Sequence, residues 1–287
     1  MLFRSWQDID GDRRPDLLVV GEWMAVTVFH NAGGGRLTKM SVRGLEQSHG
    51  WWNRIIAGDF TGDGKVDFIV GNLGLNTRLH GMPAEPATMF VKDFDGNGVL
   101  DQIVACYTKG KSYPIVLRDE MIKALPPLKV RFLSYEAYAR AGVTDIWKPE
   151  DLADAVQKKA EMFATSLMRN NGDGSFTMVP LPDEAQVAPV YGILARDVDG
   201  DGITDLMLAG NFDGFKPDIA RASDSYGLVL RGSKSGAFTP MTHLASGFVV
   251  PGQSRDILSL RSSAGALVFV ARNNDRPLVF RPNGRTK

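Results

Sequence analysis

The sequence predicts an all-β protein of the β-propeller type, built from four-stranded antiparallel blades of which about five are visible. Three observations predict this fold. An acidic loop recurs and leads each time into apolar residues, a glycine-rich hairpin recurs with it, and together they divide the chain into units of roughly 45 to 50 residues, the size of one blade. The sequence leaves open whether these blades form a whole ring or part of a larger one.

The acidic loop is a nine-residue pattern, Asp-x-(Asp/Thr)-Gly-(Asp/Asn)-x-x-x-Asp, present in four copies. Carboxylates held this close together repel one another unless a cation lies between them. The spacing resembles the first part of an EF-hand calcium loop, but each copy continues into a short strand-like run instead of a helix. We therefore predict calcium sites between β-strands. The predicted ligands are Asp8, Asp10, Asp12, Asp16, Asp59, Thr61, Asp63, Asp67, Asp93, Asp95, Asn97, Asp101, Asp197, Asp199, Asp201 and Asp205.

The four copies are not equivalent as ligand sets. The copy that begins at Asp197 has every element of the pattern, and Asn97 supplies a neutral oxygen in the copy at Asp93. Thr61 is a weaker ligand than an aspartate. Arg13 stands where the other copies have glycine, and a non-glycine residue resists the left-handed backbone of a tight loop. The alternative is that these Asp-Gly and Asn-Gly steps are ordinary turns that need no metal.

Glycine-rich hairpins separate further pairs of strand-like runs, at residues 31–37, 171–176 and, in weaker form, 231–238. The third acidic loop follows the second so closely that either the second blade is abbreviated or one blade carries both loops. The blades expected in chain order are residues 3–42, a second from Asn53, another at 190–240, and a degenerate segment at 257–280 without an acidic loop.

Residues 118–167 depart from the strand pattern, because they are rich in Ala, Glu, Lys, Leu and Met. Pro149, followed by Glu150 and Asp151, is a typical helix start with acids in the first turn. We predict two or three helices inserted at 118–167 within a blade. The rest of residues 1–287 is then a single propeller domain, or a fragment of one.

Composition excludes several classes of protein. The formal net charge is zero, so nothing in the charge balance favours binding to nucleic acid or to an anionic membrane. Cys106 is the single cysteine, which permits no internal disulfide. The sequence contains no run of 18 apolar residues, so we predict no transmembrane segment. Oligomeric state is not predicted.

At the acidic loops and glycine hairpins the chain resembles the FG-GAP/VCBS repeat propellers. These include the integrin α-subunit head and bacterial proteins of the cartilage-acidic-protein and ASPIC/UnbV-associated type. The linking segments GWWNRI, VGNLGLNTR, YPIVLRDEM and AQVAPVYGI resemble a Bacteroidetes-type branch. The resemblance implies calcium on one face, ligands on the other, and an extracellular, periplasmic or outer cell-surface location. Since strand-like sequence begins almost at the first residue, we expect a piece of a longer exported protein.

The topology implied by the resemblance brings several segments near the face opposite the acidic loops, among them residues 72–80 and 211–221. Adjacent tryptophans beside Asn and Arg are suited to stack on a sugar ring or an aromatic side chain while polar groups fix its orientation. The alternative is that one tryptophan of the pair packs between blades. We predict a glycan or protein ligand at Trp23, Trp51, Trp52, Asn53 and Arg54.

The sequence favours a binding or adhesion module over an enzyme. The four histidines, His30, His49, His80 and His243, have no zinc-type spacing and lie beside no recognisable Ser or Cys nucleophile motif. The alternative is a polysaccharide-active enzyme of the lyase type on a calcium propeller, with His49 or His80 as base near an arginine and a metal. A third is a purely structural domain of a larger polypeptide.

Overall fold

The chain folds mostly into antiparallel β-sheets, which confirms the predicted class. The computed structural model describes residues 2–216, 221–263 and 265–281. The chain divides into two compact units, a first unit of Met1–Thr77 with Phe163–Lys287 and a second unit of Arg78–Met162. Strands in the described residues form five sheets, and four of these contain the four-stranded antiparallel arrangement of a propeller blade.

The first sheet is a meander of four strands with a short fifth strand paired to the far end of the second. Its strands are β1 (Leu2–Gln7), β2 (Asp16–Met24), β3 (Thr27–Asn31), β4 (Leu37–Met40) and β5 (Gly50–Trp51). The first acidic loop joins β1 to β2, and the first glycine-rich hairpin joins β3 to β4, as predicted. Apolar residues of β2 such as Leu18 and Val20 are fully buried, which gives the sheet its core side.

The second sheet begins with β6 (Arg54–Gly58) and β7 (Asp67–Gly71), joined by the second acidic loop. Every residue of β7 is buried. After Thr77 the chain leaves the first unit and builds the second unit before it returns at Phe163.

The second unit has its own sheet and its own hydrophobic core. Strands β8 (Ala87–Lys92), β9 (Asp101–Thr108) and β10 (Lys111–Pro114) form a meander, and β11 (Val156–Ala160) pairs with the other edge of β8. Short helices lie between β10 and β11, namely α1 (Arg118–Ala124), a 3₁₀-helix (Pro126–Val130), α2 (Tyr135–Ala139), α3 (Val143–Ile146) and α4 (Pro149–Leu152). Met121, Ile146 and Trp147 from these segments pack with Phe90 and Ile103 of the sheet.

The inserted segment differs from the prediction in its extent. The helices lie within the predicted span of 118–167 and α4 begins at Pro149 as predicted, but the last helix ends at Leu152 and the chain then forms strands. The insertion also starts earlier, at Arg78, and contains the third acidic loop between β8 and β9. That loop therefore belongs neither to an abbreviated second blade nor to a blade that carries two loops. The spacing of the motifs cannot show this, because it does not reveal where the chain returns to the edge of β7.

Hydrogen bonds from the backbone and from two side chains hold the two ends of the insertion together within the first unit. The amide N–H of Asn72 donates to Thr165 Oγ1 at 3.0 Å, and the N–H of Gly74 donates to the carbonyl oxygen of Phe163 at 2.8 Å. The buried side chain of Gln186 donates to the carbonyl oxygen of Thr165 and accepts from its N–H. The chain can therefore carry a large insertion here without loss of pairing between the strands on either side.

The remaining strands complete the first unit. Strands β12 (Ser166–Asn170) and β13 (Phe176–Pro180) finish the second sheet, and a 3₁₀-helix (Asp183–Gln186) leads to the third. The third sheet contains β14 (Val190–Arg196), β15 (Asp205–Gly210), β16 (Leu228–Gly232) and β17 (Phe238–Met241). Helix α5 (His243–Ser246) precedes the last sheet of β18 (Ser254–Ser262), β19 (Gly265–Arg272) and β20 (Leu278–Phe280).

Successive sheets of the first unit pack through their first strands and their faces. Strands β1, β6, β14 and β18 contact one another in that order. Ile69 and Leu167 of the second sheet pack with Ile193 and Leu206 of the third, and Met207 of the third packs with the last sheet. No helix in the described part of the chain is long and apolar enough to span a membrane.

In three acidic loops the last aspartate connects its loop by hydrogen bonds to the third strand of the same sheet. Asp16, Asp67 and Asp205 are fully buried. One carboxylate oxygen accepts a hydrogen bond from a loop N–H, and the other accepts one from a backbone N–H at the end of the third strand. The donors are Ile9 and Asn31 for Asp16, Phe60 and Asn170 for Asp67, and Val198 and Gly232 for Asp205.

We expect Asp205→Ala to lower the free energy of unfolding of the first unit by about 2 to 4 kcal/mol, because the substitution leaves the N–H groups of Val198 and Gly232 without an acceptor. The measurement is urea unfolding with a chelator present, so that a metal makes no contribution. The matched control is Asp183→Ala, which removes an exposed carboxylate and should change stability by less than about 0.5 kcal/mol. Equal stability of Asp205→Ala and the unaltered chain under these conditions would contradict the structural role of this carboxylate.

Candidate functional site

The four acidic loops share one internal geometry. In the third copy, Asp93 Oδ1 accepts a hydrogen bond from the N–H of Gly96 at 2.8 Å, and Asp93 Oδ2 accepts one from the N–H of Gly98 at 2.7 Å. Both glycines have a positive φ, 75° and 86°, which turns their N–H groups inward. The same arrangement is present at Asp8, Asp59 and Asp197.

In two of the loops these hydrogen bonds lower the pKa of the first carboxyl group. The backbone N–H of Gly98 is the largest cause that lowers the pKa of Asp93 below its ordinary value, and the N–H of Gly200 has the same effect on the pKa of Asp197. Both carboxyl groups are therefore negatively charged at neutral pH, the state that a cation requires of its ligands.

Three of the loops bring carboxylate oxygens into a common space. Each of these groups has oxygens within 4.8 Å of one another, and the groups are Asp8 with Asp10 and Asp12, Asp93 with Asp95 and Asp101, and Asp197 with Asp199 and Asp205. In the remaining loop the hydroxyl of Thr61 donates to Asp67 at 3.0 Å, and Asp63 forms an ion pair with Lys65 at 2.9 Å. The predicted ligands at Asp59, Thr61, Asp63 and Asp67 therefore make fewer carboxylate oxygens available for a shared cation.

The loops differ in the positive side chains that reach them. Arg231 Nε lies 2.7 Å from Asp199 Oδ2, and its Nη2 lies 3.3 Å from Asp201 Oδ2. Among the ion pairs of residues 2–216, 221–263 and 265–281, none reaches Asp93, Asp95 or Asp101. Among the described residues, the carboxylates of the loop in the second unit are thus not offset by an ion pair, a state that favours a hard cation.

The first loop contains a histidine that the sequence pattern did not reveal. His30, in β3, places Nδ1 2.9 Å from Asp10 Oδ2 and 3.3 Å from Asp16 Oδ1. Arg13 adopts φ 68° at the position where the other loops have glycine, and its N–H donates to Asp8 at 2.8 Å. Arg13 therefore adopts the left-handed backbone that the tight loop requires, and His30 adds a possible ligand to the predicted Asp8, Asp10, Asp12 and Asp16. The pairing of β2 with β3, which joins Leu17 to Phe29, could have indicated that His30 lies beside Asp16.

Five half-buried aromatic side chains lie at the opposite end of the strands of the first unit. This aromatic surface consists of Trp23, Trp51, Phe215, Phe212 and Tyr191, whose ring centroids are 5.5, 6.3, 4.8 and 6.4 Å apart in that order. Tyr191 lies near the start of β14 and Phe212 follows β15, whereas the acidic loop joins the other ends of these two strands. Aromatic rings at such separations stabilise one another through edge and offset contacts.

Arg255 fixes one end of the aromatic surface. Its guanidinium carbon lies 4.7 Å from the ring centroid of Tyr191 and 5.8 Å from that of Phe212. Nη1 donates to the carbonyl oxygen of Asn211 at 3.0 Å, and Nη2 donates to Gln253 Oε1 at 2.8 Å. Burial raises the pKa of Tyr191 to about 12, so its hydroxyl stays neutral at physiological pH.

The predicted ligand residues divide into half-buried and fully buried ones. Trp23 and Trp51 lie on the aromatic surface, and the half-buried Arg54 forms an ion pair with Asp256 at 2.8 Å. Trp52 is fully buried and its Nε1 donates to the carbonyl oxygen of Ser48, so it belongs to the core, as the alternative for one tryptophan of the pair stated. Asn53 is 1% exposed and is also removed from the ligand surface.

Trp51 and Trp52 face opposite sides because side chains alternate along an extended chain. Phe212 and Phe215 lie in the segment predicted at 211–221, whereas Tyr191 and Arg255 were missed because they come from distant parts of the chain. Of the segment predicted at 211–221, residues 217–220 lie outside the described residues. Of the segment predicted at 72–80, residues 78–80 belong to the second unit.

The environment of His80 does not suit a catalytic base. Its Nε2 lies 2.8 Å from the carbonyl oxygen of Tyr107, and its Nδ1 lies 3.0 Å from that of Arg78. A carbonyl oxygen only accepts hydrogen bonds, so each of these two oxygens competes with a substrate for a ring nitrogen of His80.

Comparison with known proteins identifies the repeat at the first two acidic loops. Among solved structures, the chain is 17% identical to a lectin from Agrocybe aegerita described as recognising non-reducing terminal N-acetylglucosamine. The match covers 94% of this chain and 56% of that protein's length, with a TM-score of 0.26, which is too low to support a conclusion. No curated protein matches. Residues 8–70 match the family model of the FG-GAP-like repeat, so the chain contains an FG-GAP-like repeat as its resemblance predicted.

Proposed function

We propose that this chain is a β-propeller-type binding module that acts outside the cell, with calcium in its acidic loops and a glycan or protein ligand on its aromatic surface. The observation that carries the proposal is the position of the aromatic surface, at the strand ends opposite the acidic loops of the first unit. This arrangement separates the residues that order the fold from the residues that contact a partner. The match to an FG-GAP-like repeat, a repeat typical of extracellular proteins, supports the location.

The chemistry of the donor atoms supports calcium at the loops of Asp93 and Asp197. Both offer oxygen ligands from converging carboxylates that are ionised at neutral pH. Ca²⁺ takes six to eight oxygen ligands in a flexible geometry and supplies the positive charge that offsets carboxylate repulsion. The hydrogen bonds that Asp93 and Asp197 accept within their loops position these carboxylates beside the ends of the strands.

The aromatic surface has the properties of a preformed ligand site. Its rings are half-buried, and Arg255 is held by two rings and by hydrogen bonds, so few side chains need to be ordered when a ligand binds. Trp51 and Trp23 offer apolar faces to a sugar ring or an aromatic side chain. Exposed polar residues at its edge, Asp213 and Lys216, are placed to orient the bound group.

We expect removal of calcium to lower the melting temperature by about 5 to 10 °C, the effect of losing a ligand present at roughly 100 times its dissociation constant. The measurement is thermal unfolding of the intact chain in chelator, followed by addition of calcium or magnesium. Calcium should restore the melting temperature more fully than magnesium, because magnesium requires a smaller and stricter octahedral site.

The variants Asp93→Asn and Asp197→Asn identify the loops responsible. Each variant should reduce the rise in melting temperature that calcium produces. The melting temperature measured in chelator should change by less than this reduction, since an amide retains one acceptor oxygen for the loop hydrogen bonds. A melting temperature that does not respond to calcium would remove the metal from the proposal.

We expect Trp51→Ala to lose at least about fivefold in affinity for the ligand, since stacking of a sugar ring or an aromatic side chain on the indole contributes about 1 kcal/mol or more. The measurement is binding to glycan and protein arrays in calcium buffer, followed by titration of whichever ligand is found. The matched control is Trp6→Ala, because Trp6 is 47% exposed and lies near the acidic-loop end of β1.

Trp52→Ala should behave differently from the Trp51→Ala and Trp6→Ala variants. It should lower the free energy of unfolding by about 3 to 5 kcal/mol, since the indole of Trp52 is fully buried. Equal binding by the Trp51 and Trp6 variants would show that the aromatic surface is not the ligand site.

A further inference from the structure

We infer that the first acidic loop is a site for a divalent transition metal of the zinc class, with Asp10, Asp16 and His30 as its protein ligands. This loop thereby differs from the loops proposed above to hold calcium, and it qualifies the proposed function at this position only. The inference depends on the histidine, which the nine-residue pattern does not contain.

The three side chains converge on one point. His30 Nδ1 lies 2.9 Å from Asp10 Oδ2 and 3.3 Å from Asp16 Oδ1, and the ligand atoms of all three residues lie within 4.8 Å of one another. A tetrahedral site with bonds of about 2.0 Å places its donor atoms about 3.3 Å apart. The observed distances therefore suit a small ion bound by all three.

The nitrogen that faces the carboxylates has no hydrogen-bond partner. His30 Nδ1 is a buried atom, and although Asp10 Oδ2 is within hydrogen-bond distance, the two form no hydrogen bond. His30 Nδ1 therefore lies beside two carboxylates without a hydrogen bond to either, a position that a cation bound by all three side chains would explain.

The oxygen ligands that calcium needs are reduced in this loop. Arg14 Nε and Nη2 donate to Asp12 Oδ2 at 3.0 and 2.5 Å, and the backbone N–H of Arg14 donates to Asp12 Oδ1 at 2.8 Å. Asp12 is consequently committed to an arginine. Calcium prefers six to eight oxygens, whereas imidazole nitrogen is a preferred ligand of zinc, copper, iron and nickel.

The surrounding hydrogen bonds orient the ligands. Asp16 is fully buried and accepts from the N–H groups of Ile9 and Asn31 at 3.0 and 2.8 Å, which fixes its carboxylate at the start of β2. His30 lies in β3, the strand paired with β2, so the sheet itself sets the distance between these two ligands. Outer hydrogen bonds of this kind position metal ligands in established sites.

The experiment compares metal binding by the intact, metal-stripped chain and by His30→Asn. Calorimetric titration with Zn²⁺ should show a site in the unaltered chain whose affinity falls about 100-fold or more in the variant. Titration with Co²⁺ should give the visible absorption of a tetrahedral ion, and that absorption should be lost in His30→Asn. The matched control is His243→Asn, which removes a histidine of the first unit that lies outside the acidic loops, and should leave both signals unchanged.

Asp10→Asn provides a second variant on the exposed loop, so that the test does not depend on the folding of His30→Asn alone. It should lose the same Zn²⁺ and Co²⁺ signals. If the unaltered chain binds no Zn²⁺, or if all variants bind it equally, His30 is a protonated partner of the carboxylates and the inference is wrong. Calcium binding at Asp93 and Asp197 and ligand binding at Trp51 are measured separately, so their outcome does not depend on this one.

Discussion

The buried carboxylate at the end of each acidic loop in the first unit is the interaction on which the rest of that unit depends. Asp16, Asp67 and Asp205 each connect a loop N–H to a backbone N–H of the third strand, through two oxygens of one fully buried side chain. A buried acceptor with two such donors is costly to remove, because both N–H groups would lose their partners. The ninth position of the repeat is therefore required by the fold whether or not a metal is bound. The first, third and fifth positions are nearer the surface and are the ones that can vary in ligand chemistry.

That variation has a physical pattern across the loops. Arg231 approaches the loop of Asp197, Lys65 approaches that of Asp59, and Arg14 and His30 approach the first loop. Each positively charged side chain offsets carboxylate repulsion, and so reduces the role left for a cation, whereas His30 adds a nitrogen that can itself be a metal ligand. The loop of the second unit has no such ion pair among the described residues. A repeat that looks uniform in sequence thus contains loops with different expected affinities and different preferred ions.

The aromatic surface follows from the same antiparallel connectivity. A loop between the first and second strands of a sheet lies at one end, and the connections that follow the second strand lie at the other. Phe212 follows a second strand, whereas Trp51 precedes a first strand and Tyr191 lies near the start of another, which is the same end. These residues meet through ring contacts that include Phe215, and Arg255 from the last sheet completes the group. Trp23, at φ 57°, and Asn211, at φ 79°, hold left-handed backbone conformations beside it. Strained residues of this kind persist where the surrounding packing fixes them, and they are frequent at binding sites.

The sequence by itself determined the strand class, the acidic loops, the glycine-rich hairpins and the helix start at Pro149, because each depends on local spacing and on backbone preferences within a few residues. Tertiary structure decided what local patterns do not encode. It placed the third acidic loop in a separate unit, since only strand pairing shows that β12 returns to β7. It buried Trp52 and left Trp51 at the surface, and it brought His30 to Asp10 and Asp16 through the pairing of β2 with β3. Contacts between residues distant in sequence depend on register and packing, which is why the residues of the metal and ligand sites were only partly predictable.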